Sequence, residues 1–358
     1  MSRTSTALAA TRGIVRQDYT LEPTVSVDLV QPIGRQEVFL NAVTGYDFHR
    51  ENTQLNRGRA SLEGGYVTSL GICQGSAIET YSASQSDLAQ IDSTQGLKNL
   101  RETYGTAVGV QCGLAQGIQG GVHAQRQETF NSAQVQRTAD NTVRSLGAEL
   151  GYGNATLGKV SLIYNYSENQ LPNQIIPGQP VGNGFFSTTY GVNLQHSFGS
   201  RLQVGGNIGR TLVKRGFAPP GVKPKFSSTT YSGQASYRFG NNLEIDVGAA
   251  RAVLPTSRAG KLYDITTSGQ INAHYRLGTR IGVNAGYRIA DVKSNVDTTT
   301  TFRVITNSRS YTTSGSVTYR QSRHVSLGVD VVYDDRNTNL PEFNYTATRV
   351  GLMATFEF

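Results

Sequence analysis

Three observations predict an all-β chain, folded as a transmembrane antiparallel up-and-down β-barrel of about 16–18 strands. Apolar and polar side chains alternate with a period of two over segments of about 11 to 15 residues, against roughly 5–6 in an ordinary strand. Turns of about two to four residues join these segments at one end, the periplasmic end of such a barrel. Longer connections rich in Pro, Asn, Ser and Gly, such as 168–184, 217–225 and 334–342, join them at the outer end.

The alternation is plain in the second half of the chain. Leu243, Ile245, Val247 and Ala249 share one face against Glu244, Asp246 and Gly248 on the other. Ile281, Val283, Ala285, Tyr287 and Ile289 oppose Gly282, Asn284, Gly286 and Arg288, and Val325, Leu327, Val329, Val331 and Tyr333 repeat the pattern. Read this way, the chain carries 17 strands, at about 19–30, 36–48, 54–69, 72–88, 98–112, 116–131, 140–154, 158–168, 185–198, 201–216, 225–238, 241–254, 261–277, 279–293, 300–320, 324–336 and 343–358. A bacterial single-chain barrel takes an even number. Residues 3–14 are therefore expected to be the remnant of an eighteenth strand, with a signal peptide and part of that strand missing upstream. The whole of 1–358 reads as one barrel domain.

Composition narrows the alternatives. Hydrophobic residues make up 37% and charged residues 16%, with 40 glycines, 18 tyrosines and 13 phenylalanines. So many rings exclude a disordered chain. Tryptophan is absent, which counts against a membrane reading. No run of 18 apolar residues exists, so a membrane-spanning helix is excluded, but barrel strands are not. The formal net charge is +8, yet basic residues are dispersed with no run longer than two, so nucleic acid is not the expected partner. A repeat near 40 residues also suits a propeller blade, but two long strands per repeat do not make one.

In lipid, the apolar face of each strand looks outward and the polar, glycine-rich face lines a wet lumen. Gly205, Asn207, Gln234, Ser236, Asn272, Asn284 and Ser316 fall on the lumenal side. Phe198, Tyr237, Phe239, Tyr275, Tyr319, Phe356 and Phe358 fall where strands meet the short turns, at headgroup level. The chain ends "TRVGLMATFEF", which puts Val350, Leu352, Ala354, Phe356 and Phe358 outward. That ending resembles the C-terminal signal read by the barrel-assembly machinery, with Met353 where a glycine often stands. The resemblance implies that machinery as a partner in biogenesis, alongside outer-membrane lipid, and localises the chain to the outer membrane of a Gram-negative bacterium.

The segment "YTLEPTVSVDLVQPIGRQEVFLNAVTGYDF" joins a Pro-x-Val-x-Val strand by a short turn to a tyrosine-containing strand. With the overall architecture, it resembles the β-barrel porin 2 group of outer-membrane proteins. Members are often associated with exopolysaccharide gene clusters, which implies a role in polymer passage with periplasmic polysaccharide-export proteins as partners.

Few constellations could carry chemistry. Cys73 and Cys112 lie at the short-turn ends of neighbouring strands, where a cross-strand disulfide fits the geometry and an oxidising compartment permits it; two small apolar rim residues are the other reading. No His or second Cys pair accompanies them to make a metal site. His49, His123, His196, His274 and His324 are scattered, and no set meets the geometry of a catalytic site, so neither an enzyme nor a cofactor is expected. Arg238, Arg276 and Arg320 each neighbour an aromatic at the short-turn end and point inward, and Arg201, Arg280 and Arg323 sit in the same turns. They form a candidate basic collar at the periplasmic mouth, attracting anions. Arginines that snorkel to the interface or pair with phosphate and carboxylates are the plainer reading. Three functions are expected in order: a passive conduit in exopolysaccharide export, an anion-preferring diffusion porin, and a non-conducting structural barrel.

Overall fold

The structure is a computed structural model and describes residues 13–85, 99–114, 116–154, 156, 158–174, 183–216, 224–255, 261–296 and 305–357. Among these residues are eighteen strands. The first nine are β1 (Thr20–Leu21), β2 (Thr24–Ile33), β3 (Gln36–His49), β4 (Arg57–Leu70), β5 (Cys73–Gln85), β6 (Leu100–Gly113), β7 (Gly117–Asn131), β8 (Asn141–Asn154) and β9 (Gly158–Leu171). The rest are β10 (Asn183–Phe198), β11 (Leu202–Arg215), β12 (Lys225–Phe239), β13 (Leu243–Pro255), β14 (Lys261–Leu277), β15 (Ile281–Val296), β16 (Asn307–Arg320), β17 (Val325–Thr338) and β18 (Tyr345–Phe356). No described helix is long and apolar enough to cross a membrane.

From β2 to β18 each strand pairs antiparallel with the next in sequence, giving an up-and-down sheet. β1 and β2 both pair with β3 in one register, Leu21 opposite Phe48 and Thr24 opposite Gly45. The Tyr46 N–H donates to the Pro23 carbonyl between them, so they are one strand broken at a residue with no N–H to give. These positions coincide one for one with the 17 expected strands. The strand expected at 54–69 starts later, at Arg57, because Thr53–Leu55 makes a 3-10 turn.

The expected eighteenth strand, 3–14, falls mostly outside the described residues, and Gly13 and Ile14 are not strand. The segment leading into β1 is instead tied to the β3–β4 loop. Asn52 receives the Val15 N–H on Oδ1 (2.8 Å) and donates Nδ2 to the Val15 carbonyl (2.9 Å). Asp18 accepts from the backbone of Glu51 and Asn52 and from the Asn52 side chain, with His49 at 3.1 Å.

The short turns explain themselves locally. Gly34, Gly71, Gly199, Gly240 and Gly278 each sit in one with φ between 59° and 66°, a conformation costly to any residue with a Cβ.

Large apolar side chains cover the convex face: Leu162 is 63% exposed, Ile208 59% and Leu352 86%. Water would not leave such a face uncovered, whereas bilayer hydrocarbon accommodates it. Buried residues gather instead at the long-loop end. One cluster there joins Leu171, Phe185, Val213 and Tyr263, and another Ile305, Leu340 and Phe343.

Candidate functional site

The concave face is the candidate site. Along β10–β12, β14 and β16 many of its positions carry amides or hydroxyls, while β13 contributes Glu244, Asp246 and small residues. Two adjoining grooves lie against this wall, of about 850 Å³ toward the short turns and about 360 Å³ above. Gln195, Gly205, Gln234, Gly248 and Gln270 line both. The wall is cross-linked sideways: Asn207 Nδ2 donates to Ser232 Oγ (2.7 Å) and Asn284 Nδ2 to Ser316 Oγ (3.1 Å). Thr189, Thr211 and Thr230 form a hydroxyl row across β10, β11 and β12. Of the lumenal residues expected from sequence, Gly205, Asn207, Gln234, Ser236 and Asn272 line these grooves, and Asn284 and Ser316 continue the wall beside them.

Some of the charge on this face is neutralised in place. Lys159 holds Glu149 at 2.6 Å, and Arg238 meets Glu244 at 3.3 Å. The imidazole of His123 lies directly over Gly147 beside Asn165, where any Cβ at 147 would overlap it. The six arginines of the expected collar all lie at the short-turn end of β11–β17. Backbone N–H groups of Arg238 and Arg320 bond the carbonyls of Arg201 and Arg280, and Arg276 Nε donates to His274. Arg323 lies in the turn before β17.

The outer end of the groove is narrowed by strands. The β12–β13 ladder stops at Tyr231 opposite Arg251. The β11–β12 ladder continues to Lys214 opposite Lys225, and β13–β14 continues to Pro255 opposite Tyr263. Beyond the split, Tyr263 packs on Phe185 (5.6 Å between ring centroids) and on Phe226 (5.8 Å). Phe185 and Phe226 are on the concave side of β10 and β12, but Tyr263 shares the face of Ile271 and Tyr275, which is convex lower down. The outer ends of β13–β15 therefore lie inside those of β9–β12. Sequence reasoning missed this, although a signal exists: the convex parity of β13–β15 turns polar at Arg251, Thr267 and Asp291.

Cys73 and Cys112 oppose each other in the β5–β6 register and are joined by a disulfide. On β18, Val350, Leu352 and Phe356 are 67%, 86% and 62% exposed, with Ala354 on the same face; Phe358 lies outside the described residues.

No family model matches the chain, and no curated protein matches it. Solved structures do. The FrpB iron transporter from Neisseria meningitidis (F5-1 variant) superposes with a TM-score of 0.56 at 9% identity, covering 94% of this chain and 66% of that one. Its F3-3 variant gives 0.51 at 9% identity, covering 90% and 61%. The copper transporter OprC gives 0.50 at 10%, covering 94% and 64%. The chain thus spans less than two thirds of the length of these structures. At this identity the likeness is one of fold: an antiparallel up-and-down sheet of the outer-membrane β-barrel kind. That fold, with an exposed apolar convex face, places the chain in the outer membrane of a Gram-negative bacterium.

Proposed function

We propose that the sheet closes into a barrel and serves as a passive conduit for a hydroxyl-rich polymer, an exported polysaccharide, working with periplasmic export proteins. The observation that carries this reading is the concave wall of amides and hydroxyls. It offers exchangeable donors and acceptors, as does the Asn207–Ser232 pair, along a groove in which Lys159 is already paired with Glu149. In β8–β17 the concave-facing aromatics are confined to Phe185 and Phe226 at the outer end, so a sliding chain would meet hydrogen-bonding groups rather than rings. A barrel of this strand number leaves an aqueous channel unless something fills it. The iron and copper named for the structural neighbours are not carried over, since the likeness is of fold alone. On this reading the chain is no enzyme and needs no cofactor.

A second reading, an anion-preferring diffusion porin, is favoured by Arg276 and Arg320, which meet no carboxylate among the described residues at the short-turn mouth. Single-channel conductance of the refolded chain, with and without a long polysaccharide on the short-turn side, separates the two. Steady conductance blocked by a neutral polysaccharide supports the polymer conduit. Conductance indifferent to polymer but selective for anions supports the porin. No conductance from a folded barrel would sink both.

A further inference from the structure

We propose that the convex face at the outer ends of β11 and β12 binds the phosphate groups of a lipid headgroup in the outer leaflet. Lys214 and Lys225 stand directly opposite each other across the β11–β12 ladder, on the lipid-facing side. Arg210 follows on the same face of β11, with Leu212, 44% exposed, between it and Lys214. Like charges directly opposite on a sheet repel, and an anion held between them would relieve that repulsion.

The protein itself supplies none. No carboxylate occurs at any convex-facing position of β10, β11, β12 or β13. Glu168, the nearest on β9, stands opposite Arg144. Among the described residues, neither lysine meets a carboxylate, and Arg210 donates only to Ser227 Oγ at 2.9 Å. Two other cations on this face do have acidic partners: Arg126 meets Glu128 at 2.5 Å and Arg309 meets Asp291 at 3.0 Å.

Position selects a lipid over a free anion. Directly below the cations run Ile208 and Val204, 59% and 39% exposed, flanked by Tyr190 and Tyr231. A phosphorylated headgroup would meet Lys214, Lys225 and Arg210 while its acyl chains lie on the apolar band beneath. The inference rests on membrane placement and is independent of what the lumen conducts.

Native mass spectrometry of the full chain in detergent, titrated with lipid A, tests it. The wild type is expected to retain lipid A and to discard its dephosphorylated form. Lys214→Gln with Lys225→Gln is expected to weaken binding about thirtyfold, and Lys214→Gln alone about fivefold, each judged on protein that still shows the heat-modifiable mobility of a folded barrel. Arg309→Ala, whose partner is Asp291, should leave binding unchanged. Equal retention of the dephosphorylated lipid, equal binding by the double variant, or an equal loss in Arg309→Ala would overturn the proposal. Displacement of lipid A by equimolar inorganic phosphate would overturn it in favour of a free-anion site.

Discussion

Arg215 of β11 donates a hydrogen bond to Asn295 of β15, a residue 80 positions away and four strands across the sheet. Neighbouring strands in a sheet are about 4.8 Å apart, so a flat or gently curved sheet keeps these two far out of reach. They meet because the outer ends of β13–β15 tuck inside those of β9–β12. Arg215 is 9% exposed and Tyr263 beside it 2%, so the contact is made in a dry, packed place.

Arg215→Ala is expected to loosen that tucked end. A hydrogen bond from a charged donor contributes about 1.5–3 kcal/mol, which is roughly 10- to 100-fold in a local opening equilibrium. Amide exchange at Val253 and Ile265 should accelerate by that factor while exchange in the lower half of β14 does not change. Single-channel conductance should rise in parallel. Faster exchange with unchanged conductance would show that the tucked strands do not narrow the path.

The disulfide acts at the other end of the sheet and should be separable from the concave grooves. Cys73 and Cys112 close a segment 39 residues apart in sequence, and such a bond contributes about 2–4 kcal/mol in typical cases. Reduction, or Cys73→Ser with Cys112→Ser, should lower the urea midpoint of the refolded protein. Because β5 and β6 lie away from the grooves, conductance should be unaffected.

How much of this could be read from the sequence depends on the range of the interaction. The strands were legible because each enforces the same period-two rule locally, and Leu243 through Ala249 declare their face without help from any neighbour. Most short-turn ends were legible because a glycine such as Gly240 or Gly278 marks the reversal; the β16–β17 turn, Gln321–His324, has none. That Cys73 and Cys112 lie at one edge followed from strand order, whereas the bond between them was one of two readings. The tuck of Tyr263 behind Phe185 was not legible, since it depends on where one ladder ends and its neighbours continue, a property of three strands together. For Arg238 the plainer reading, pairing with a carboxylate, holds: Glu244 stands opposite it across the β12–β13 hairpin.

Two adjacent glycines give opposite expectations. A Cβ on Gly205 would point into the groove, with nothing nearer than the side chains of Gln195 and Gln234 at 3.7 Å. Gly205→Trp should therefore fold normally and lower conductance by filling space shared by both grooves. A Cβ on Gly206 would stand 2.6 Å from the Ser232 carbonyl oxygen, a backbone atom that cannot swing aside. Gly206→Ala should cost about 1–3 kcal/mol of stability by forcing β11 and β12 apart, with little effect on conductance in the fraction that folds. Urea denaturation and bilayer recording of the two variants side by side check both halves of the contrast.

Acid should release the segment before β1. Burial pushes the Asp18 carboxyl up, but the N–H donors of Glu51 and Asn52, the Asn52 amide and His49 outweigh it and hold the group below the ordinary carboxylate range. A folded-state value below the unfolded one means stability that is fully present above the unfolded value, about pH 4, and is lost as pH falls through the folded value. The Val15 N–H, bonded to Asn52 Oδ1, reports on this contact. Its exchange, corrected for the intrinsic pH dependence of amide exchange, should be flat from neutral pH down to about 4 and should accelerate below. Asp18→Asn keeps the shape but removes the charge, so it should expose the Val15 amide at neutral pH and abolish the acid step. An acid step that survives in Asp18→Asn would move its origin to another carboxylate.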